Sequence, residues 1–245
     1  MNTLRVRIVG TGRAGASLAK ALSDCRSVDI VSTLSHGDDV RGAASGVDVL
    51  ILAVPDAAIS QVARQIDVVA STVVVHLSGA TTLDALLPHD RRASLHPLVA
   101  LSEPVSGAAA LRGAWMALSG DAVIEELVEA LHGKPVRVAE TDRVSYHAAA
   151  VIASNHLIAL LGQVERVAEP IGVPIEAFLD LAAAAVENTR RLGPARALPG
   201  PVSRGDWSTV RAHIDALLAT ERSAYVTMAR EAAKLADREW PADIG

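Results

Sequence analysis

The sequence lacks the features that mark secreted and nucleic-acid-binding proteins. Cys25 is the only cysteine in 245 residues, so no internal disulfide can form and a reducing compartment is the simplest fit. The formal net charge is −5, with no long run of either sign. Because binding to a phosphate backbone needs a basic face, this charge argues against nucleic acid as a partner. The N-terminal residues also lack the basic, apolar and small-residue pattern of a signal peptide.

Aromatic residues and long apolar runs are also scarce. Aromatics make up 2% of the chain although half of the residues are hydrophobic, so Ala, Val, Leu and Ile must form the core. The longest apolar stretch, from Ala148 to Leu161, is interrupted by Ser154, Asn155 and His156. A stretch of this length is too short to span a bilayer. These features predict a soluble, cytoplasmic protein that does not enter membranes.

A glycine-rich turn near the N-terminus is the most informative stretch. Leu4 to Val9 is typical of a short strand, and Leu18 and Leu22 stand at helical spacing after the turn. Between them, Gly10 allows a tight turn, Gly12 lets a pyrophosphate approach the backbone, and Gly15 lets the helix pack close to the strand. This pattern predicts a dinucleotide site; the alternative is a glycine-rich turn in another kind of α/β protein.

The residues after the second strand bear on which dinucleotide binds. In NAD sites an acidic residue there binds the ribose 2′-hydroxyl, whereas its absence together with a nearby Arg leaves room for a 2′-phosphate. This chain has Ser35 at that position and Arg13 in the glycine turn. We therefore predict NADP over NAD. The alternative is that Asp38 or Asp39 reaches back to the ribose.

The periodicity along the chain predicts two domains. Strands are expected at 4–9, 28–34, 47–54, 72–77, 93–98, 114–119 and 134–138, alternating with helices. After residue 141 the pattern is almost only helical, at 144–169, 175–192, 207–218 and 220–239, with a loop at 193–205. We predict a doubly wound, Rossmann-type, mostly parallel sheet in residues 1–140 and an all-α domain in residues 141–245.

In such a sheet the ligand crevice lies at the carboxyl ends of the strands. Val54 and Pro55 follow the third strand and should border the cofactor. Asp56 is either a helix N-cap or a ligand contact. His96 also stands at a strand end, where a histidine is more often a hydrogen-bonded structural residue than a catalytic one.

A polar line crosses the first helix of the second domain. At ~100° per residue, His147 and Ser154 lie within roughly 20° of each other, with Asn155 about 80° away on the same side. Such a line either faces a wet cleft or makes hydrogen bonds between helices. His156 falls on the opposite face from His147, and no cluster of side chains has the spacing of metal ligands, so we predict no metal.

A second candidate lies in the predicted loop. Arg204 could bind a substrate carboxylate or phosphate with its two-pronged guanidinium, although Arg190, Arg191 or Arg196 could serve instead. The purely structural interpretation is that Gly205 turns the chain, Asp206 caps the next helix and Trp207 buries an edge.

Together these residues resemble a known group of proteins. The sequences that carry the resemblance are Gly10-Thr11-Gly12-Arg13-Ala14-Gly15, Ala53-Val54-Pro55-Asp56, His96-Pro97, Tyr146-His147 with Ser154-Asn155, and Gly200-Pro201 with Arg204-Gly205-Asp206 and His213. They resemble the 6-phosphogluconate dehydrogenase-like superfamily, and more closely a bacterial family that pairs a Rossmann-like domain with a C-terminal domain of unknown function. The architecture is similar to that of ketopantoate reductase and pyrroline-5-carboxylate reductase.

The resemblance implies an enzyme that uses NADP in a cleft between domains and forms a homodimer through its helical domain. In ketopantoate reductases a lysine and two asparagines recur every four residues along this helix. Aligned on Asn155, that pattern places His147 at the lysine and Val151 at the first asparagine, so only Asn155 matches. The lysine protonates the developing alkoxide, a role that could pass to His147.

The sequence therefore predicts an NADP-dependent oxidoreductase that reduces a small ketone or imine bearing a carboxylate. The alternative is a dinucleotide-binding sensor or scaffold without turnover. The expected catalytic residues are His147 as proton donor, Asn155 positioning the carbonyl and Arg204 holding the anion. The expected cofactor-binding residues are Gly10, Thr11, Gly12, Arg13, Ala14, Gly15, Ser35, Val54 and Pro55.

Overall fold

The computed structural model describes residues 3–101 and 103–244, which form two compact units, Met1–Ser154 and Asn155–Gly245. The first unit is built on one sheet. Its strands are β1 (Leu4–Val9), β2 (Val28–Leu34), β3 (Val49–Leu52), β4 (Val73–His76), β5 (Arg92–Pro97), β6 (Trp115–Gly120) and β7 (Lys134–Arg137). The spatial order is β2-β1-β3-β4-β5-β6-β7, and only the pairing of β5 with β6 is antiparallel.

The helices of the first unit alternate with the strands. They are α1 (Arg13–Ser23), α2 (Asp56–Gln65), α3 (Pro104–Leu111), α4 (Ile124–Ala130) and α5 (Arg143–Val151), together with short 3₁₀ turns at Leu83–Leu86 and Glu140–Asp142. The predicted doubly wound, mostly parallel fold is confirmed.

The sheet is covered on both faces, which explains the continuous apolar runs in its central strands. Val49 and Ile51 of β3 pack into one hydrophobic cluster, and Leu50 and Leu52 pack into another. All four side chains are fully buried. Helix α1 belongs to the first cluster through Leu18 and the residues near it.

The register brings the carboxyl ends of β2, β1, β3 and β4 together along one edge of the sheet, the edge at which these parallel strands end. Val9 of β1 lies opposite Leu34 of β2 and Leu52 of β3. Leu52 in turn lies opposite His76 of β4. The residues that follow these strand ends therefore stand side by side, with the strand order reversing direction between β1 and β3. This edge is where open α/β sheets bind ligands.

Among its described residues, the second unit contains helices and no strand. They are α6 (Leu157–Ala168), α7 (Ile175–Leu192), α8 (Pro194–Ala197), α9 (Pro201–Arg204), α10 (Trp207–Ala216) and α11 (Ala219–Leu235). Glu221 of α11 accepts two hydrogen bonds from the guanidinium of Arg166 on α6, at 2.8 and 3.0 Å. A small core contains Val202, Val210 and Ala233.

Two local predictions were wrong, and one helix was missed. The expected loop at 193–205 contains the short helices α8 and α9, each starting at a proline, a residue that is favourable at the first turn. Helix α3 was not predicted. The expected straight α-helix at 144–169 contains a π-helical segment, Ile152–His156, and ends in a 3₁₀ turn, Glu169–Ile171.

The helical run Glu140–Ile171 has the length and composition of a helix that could cross a membrane, and none of its most apolar window is buried. Ser154, Asn155 and His156 do not interrupt the helical run. The run is therefore longer than the apolar stretch, ending at Leu161, from which a length too short to span a bilayer was predicted. The buried core helices of soluble proteins can have the same length and composition.

Candidate functional site

The glycine turn joins β1 to α1 with very close packing. Gly10 has a φ of +107°, and a Cβ placed on it would lie 2.3 Å from the carbonyl oxygen of Ala53. A Cβ on Gly15 would lie 1.9 Å from the carbonyl oxygen of Gly10. At Gly12, by contrast, a Cβ would meet nothing within 4 Å. The turn is therefore packed tightly on the side of Gly10 and Gly15, which faces the protein, and is open next to Gly12.

Gly12 is the N-cap of α1, and no side chain caps the helix there. The first amides of a helix carry a partial positive charge and lack partners within the helix. An open approach at Gly12 and an uncapped helix start are what an anionic diphosphate requires.

A cleft of about 520 Å³ lies over this turn. Six of the predicted cofactor residues line it: Gly10, Thr11, Gly12, Ser35, Val54 and Pro55. Of the other three, Ala14 lines a smaller cavity, Arg13 is exposed at the start of α1, and Gly15 is buried beneath the turn. The described residues at this edge thus fit a dinucleotide.

The end of β2 is arranged by Asp38. Its carboxylate accepts a hydrogen bond of 2.6 Å from the backbone N–H of Ser35. The Ser35 hydroxyl lies 3.3 Å from that of Thr11. Asp38 does reach back toward the end of the strand, as the alternative for NAD required, but its carboxylate binds the backbone there. Ser35 remains the side chain at the position that distinguishes NAD from NADP sites.

A buried arginine lies under the edge formed by β4, β5 and β6. Arg143 is 2% exposed and donates to the hydroxyls of Ser94 and Ser119 at 2.6 and 2.9 Å. It also donates to the carbonyl oxygen of Ser78 at 2.5 Å. Glu140 lies 3.5 Å from the guanidinium and accepts from Ser119 at 2.6 Å. Burial lowers the pKa of Arg143, and the nearby Glu140 opposes that effect.

Tyr146 and His147, one helical turn further along α5, bring their rings to His96 at the end of β5. The hydroxyl of Tyr146 lies 2.6 Å from Nδ1 of His96. The ring centroids of His96 and His147 are 6.1 Å apart, in an edge-on arrangement. A Cβ on Gly79 would lie 2.7 Å from His147 and 2.9 Å from His96, so only glycine fits between them and the backbone.

The His96 imidazole and the Tyr146 phenol, which contact each other, are both neutral near pH 7. Burial lowers the pKa of His96 to about 4, with further lowering by the positive charges of His147 and Arg143. Burial also raises the pKa of Tyr146 to about 12. A neutral imidazole has one N–H donor and one acceptor nitrogen, and a protonated phenol can donate.

His76 and Asp56 have structural partners. His76 is fully buried, its Nδ1 accepts from the backbone N–H of Ser78, and burial lowers its pKa to about 4. The Asp56 carboxylate accepts a 2.6 Å hydrogen bond from the Ser78 hydroxyl. Asp56 is not the N-cap of α2, because Pro55 occupies that position. A contact between Asp56 and a ligand stays a prediction.

The predicted polar line on the first long helix needs correction. The expected angles between His147, Ser154 and Asn155 assumed a regular α-helix. The π-helical segment Ile152–His156 has a wider turn, so angles computed at 100° per residue do not apply across it. His147 is half-buried in the first unit, whereas Asn155 is exposed and begins the second. Within its segment, the Ser154 hydroxyl donates to the carbonyl oxygen of Ala150 at 2.9 Å.

Arg204 differs from the other arginines of its region. Arg190, Arg191 and Arg196 each bind a group on their own or the preceding helix. Arg204 is exposed at the end of α9, and no described residue hydrogen-bonds to its guanidinium.

The structural interpretation of the neighbouring residues is confirmed. Gly205 is left-handed, with a φ of +72°, and the Asp206 carboxylate accepts from the backbone N–H of Thr209. Trp207 packs edge-on against Trp240.

Two residues of the site had little sequence signal. Arg143 stands in a polar stretch before a helix and gives no periodic pattern; only the fold shows its burial. Gly79 follows Ser78 in an ordinary turn sequence, and its closeness to two histidines is a tertiary contact. Tyr146 stands beside His147 in the motif and could have been named, since a buried tyrosine usually needs a partner for its hydroxyl.

A larger cleft, of about 790 Å³, lies at the opposite edge of the sheet, near Cys25, Arg112 and Glu126. It is at the amino ends of β1 and β2, where doubly wound sheets do not place their ligands. The Cys25 thiol donates to backbone carbonyls and its pKa is raised by burial, which disfavours the reactive thiolate. We therefore assign the functional site to the edge that carries the glycine turn. Within residues 3–101 and 103–244, no group of three or more His, Cys, Asp or Glu could hold a metal ion.

Several solved structures resemble the chain along almost its full length. The protein TM1727 from Thermotoga maritima is 22% identical, with a TM-score of 0.76 over 95% of this chain and 98% of that one. A candidate NADP oxidoreductase, BF3122 from Bacteroides fragilis, is 14% identical with a TM-score of 0.77 over the same shares. The 1-pyrroline-5-carboxylate reductase of Streptococcus pyogenes is 14% identical, with a TM-score of 0.66 over 96% of this chain and all of the other.

No curated protein matches the chain significantly by sequence. Residues 117–232 match the family described as a domain of unknown function, DUF2520. The chain thus combines a Rossmann-type fold with a C-terminal part that matches the DUF2520 family model, and this agrees with the resemblance predicted from its motifs.

Proposed function

We propose that the chain is an NADP-dependent oxidoreductase that reduces a small ketone or imine bearing a carboxylate. The observation that carries this proposal is the glycine turn, which is closed beneath Gly10 and Gly15 and open above Gly12 at an uncapped helix start. The names of the Bacteroides and Streptococcus proteins, an NADP oxidoreductase candidate and a reductase, support the same class.

The residues of the first unit divide the binding of the cofactor. Gly12 and the first amides of α1 bind the diphosphate. Ser35 leaves room for a 2′-phosphate, and Arg13 supplies a positive charge on the same turn. Val54 and Pro55 border the cleft. When bound, NADPH supplies the hydride for the reduction.

The remaining roles belong to side chains that act on the substrate. His147 supplies the proton that the carbonyl oxygen or imine nitrogen gains, a role suited to a histidine near neutral pH. Asn155 positions the carbonyl. Arg204, whose guanidinium has no hydrogen-bond partner among the described residues, binds the substrate carboxylate.

We also propose that the protein is a soluble, cytoplasmic homodimer. Ile152, Ile158 and Ile171 along the long helical run are 59%, 68% and 70% exposed. A second copy that packs against the helical run would remove such side chains from water. Ile158→Glu should then lower the mass measured by sedimentation in the absence of detergent, and Val105→Glu, at a side chain that is 67% exposed on α3, is the control. Recovery of the native protein only in the membrane fraction would contradict a soluble state.

The experiment that tests the enzymatic function has two stages. First, the purified protein should quench or shift the fluorescence of NADPH more strongly than that of NADH. Second, oxidation of NADPH is followed with a panel of 2-keto acids and cyclic imines, starting with ketopantoate. No response to either nucleotide contradicts the dinucleotide site, whereas binding without oxidation of NADPH on the whole panel favours a sensor or scaffold.

A further inference from the structure

His96 is held between one fixed hydrogen bond and one open cavity. Its Nδ1 is 2.6 Å from the Tyr146 hydroxyl, and the two rings are edge-on, with centroids 5.6 Å apart. The other ring nitrogen, Nε2, has no hydrogen-bond partner among the residues that the structure describes, nor is it among the buried polar atoms without a partner. Nδ1 is therefore occupied and Nε2 is available to a ligand.

The contact with the Tyr146 hydroxyl bears on which nitrogen of His96 carries the proton. A phenol whose pKa is raised to about 12 keeps its proton at neutral pH. It can therefore donate to Nδ1, and a neutral ring that accepts at Nδ1 carries its own proton on Nε2. The nearby positive charge of Arg143, which is fixed by two serine hydroxyls and a carbonyl oxygen, opposes a second proton on the ring.

The cavity that His96 lines also touches the cofactor turn. It measures about 190 Å³, and its wall includes Ala14, Leu77 and Pro97. Ala14 belongs to the first turn of α1, and Leu77 and Pro97 stand at the carboxyl ends of β4 and β5. Since a dinucleotide crosses the switch point of the sheet from the end of β2, its second half extends toward β4 and β5. His96 therefore lies on the nicotinamide side of the site.

We propose that His96 is a further catalytic residue, which donates a hydrogen bond from Nε2–H to the carbonyl oxygen of the substrate, and that Tyr146 is the positioning residue that fixes this tautomer. This inference rests on the proposed function and narrows its substrate class to ketones. A ketone oxygen has lone pairs that accept from Nε2–H, and negative charge grows on it as the hydride arrives at carbon. A protonated imine presents an N–H instead, so two donors would face each other.

The step balances without a further reactant. Carbon gains the hydride of NADPH, the π pair of the carbonyl moves to oxygen, and that oxygen receives the proton of the proposed donor, His147. His96 keeps its proton throughout and stabilises the charge, as a neutral imidazole is able to do.

The first arm of the test measures the tautomer of the full-length, ¹⁵N-labelled protein at pH 7 without any ligand. Long-range ¹H–¹⁵N spectra report which ring nitrogen is protonated, and His96→Gln assigns the resonance. We expect a neutral ring with the proton on Nε2. Tyr146→Phe should change the Nδ1 resonance of His96, whereas Tyr225→Phe, which removes the 2.8 Å contact of a second His–Tyr pair at His213, should leave it unchanged. A charged ring, or a proton on Nδ1, overturns the proposal.

The second arm compares rates on the 2-keto acids and cyclic imines of the panel. We expect the keto acids to be reduced faster, and Tyr146→Phe to lower kcat on the best of them about tenfold, the worth of one hydrogen bond, without changing the affinity for NADPH. The glutamine of His96→Gln keeps an N–H donor whose position does not depend on a tautomer. Adding Tyr146→Phe to this variant should therefore lower kcat less than twofold.

The outcomes separate the two proposals. Faster reduction of the cyclic imines, or an equal loss from Tyr225→Phe, overturns the role of His96 while the oxidoreductase function stands. Oxidation of NADPH on no member of the panel overturns the catalytic role of His96 together with the proposed function.

Discussion

Gly15 lies directly against Gly10: a Cβ on the first would come within 1.9 Å of the carbonyl oxygen of the second. Gly12, between them in sequence, has open space in the same direction that a side chain would take. The three glycines of the turn therefore have different physical roles. Two allow the fold, and one leaves room for a ligand, so substitutions should separate stability from binding.

Gly12→Ala should weaken NADPH binding at least about tenfold while it costs about 1 kcal/mol or less of folding free energy. Its φ of −66° suits alanine, so the effect on the fold is only the change of N-cap residue. Fluorescence titration and thermal unfolding measure the two quantities. Gly42→Ala, at another site without neighbours within 4 Å, should change neither. Unchanged NADPH affinity in Gly12→Ala would contradict a diphosphate site at this helix.

Gly15→Ala should act in the opposite way, mainly on stability. The clash with the Gly10 backbone has to be relieved by moving α1 away from β1, and overpacking of this kind typically costs about 1–3 kcal/mol. Denaturant unfolding measures it. A native-like unfolding midpoint would show that the helix tolerates a wider separation than the structure gives.

Ser35→Asp should invert the preference between the two dinucleotides. A carboxylate at the end of β2 repels a 2′-phosphate and accepts from a ribose 2′-hydroxyl. We expect the affinity for NADPH to fall at least about tenfold relative to that for NADH. Ser71→Asp places the same charge before β4, at the opposite edge of the sheet, and serves as the control. A preference that stays unchanged would place the adenosine ribose elsewhere.

Arg143→Met should destabilise the first unit by about 3–5 kcal/mol. Removal of the guanidinium leaves Ser94 and Ser119 without the hydrogen bonds that it donates, and Glu140 without its cationic partner. Lys234→Met breaks an exposed pair with Glu231 and should cost about 1 kcal/mol or less. Chemical denaturation compares the two variants. Equal small losses would show that water enters to replace the guanidinium.

Acidification below about pH 6.5 should destabilise the protein through its buried histidines. The pKa of His76 falls from 6.5 to about 4 on folding, because burial disfavours the charged ring. Between these values the unfolded chain binds more protons than the folded one, so stability declines as the pH falls and reaches its full loss below about pH 4. The difference for this one ring is on the order of 3 kcal/mol.

His76→Asn tests that assignment. An asparagine can still accept from the backbone N–H of Ser78, but it has no charge to gain. Unfolding free energies measured between pH 7 and pH 4 should therefore fall less steeply in the variant. An equal slope in both proteins would assign the acid sensitivity to other groups.

Much of the first unit followed from the sequence, and the reasons are physical. Strands such as Val49–Leu52 are apolar on both faces, and the glycine turn has close contacts that only glycine allows. These signals are local. The candidate cofactor residues give a local signal for the same reason, since they lie within one turn and at strand ends.

What could not be predicted depends on tertiary structure. A π-helical segment has no periodic signature, so the angles between His147 and Asn155 were computed for the wrong helix. The short helices α8 and α9 were hidden because prolines and glycines also mark loops. Arg143 gave no signal, because its partners come from three distant segments of the chain.

The position of Arg143 has a consequence for dissecting this chain into parts. The sequence pattern places the domain boundary at residue 140, whereas the compact units divide after Ser154. An expressed fragment that stopped at residue 140 would omit the guanidinium that the sheet's own serines bind. Any excised nucleotide-binding fragment should therefore extend through α5, even though that helix reads as the opening of the following domain.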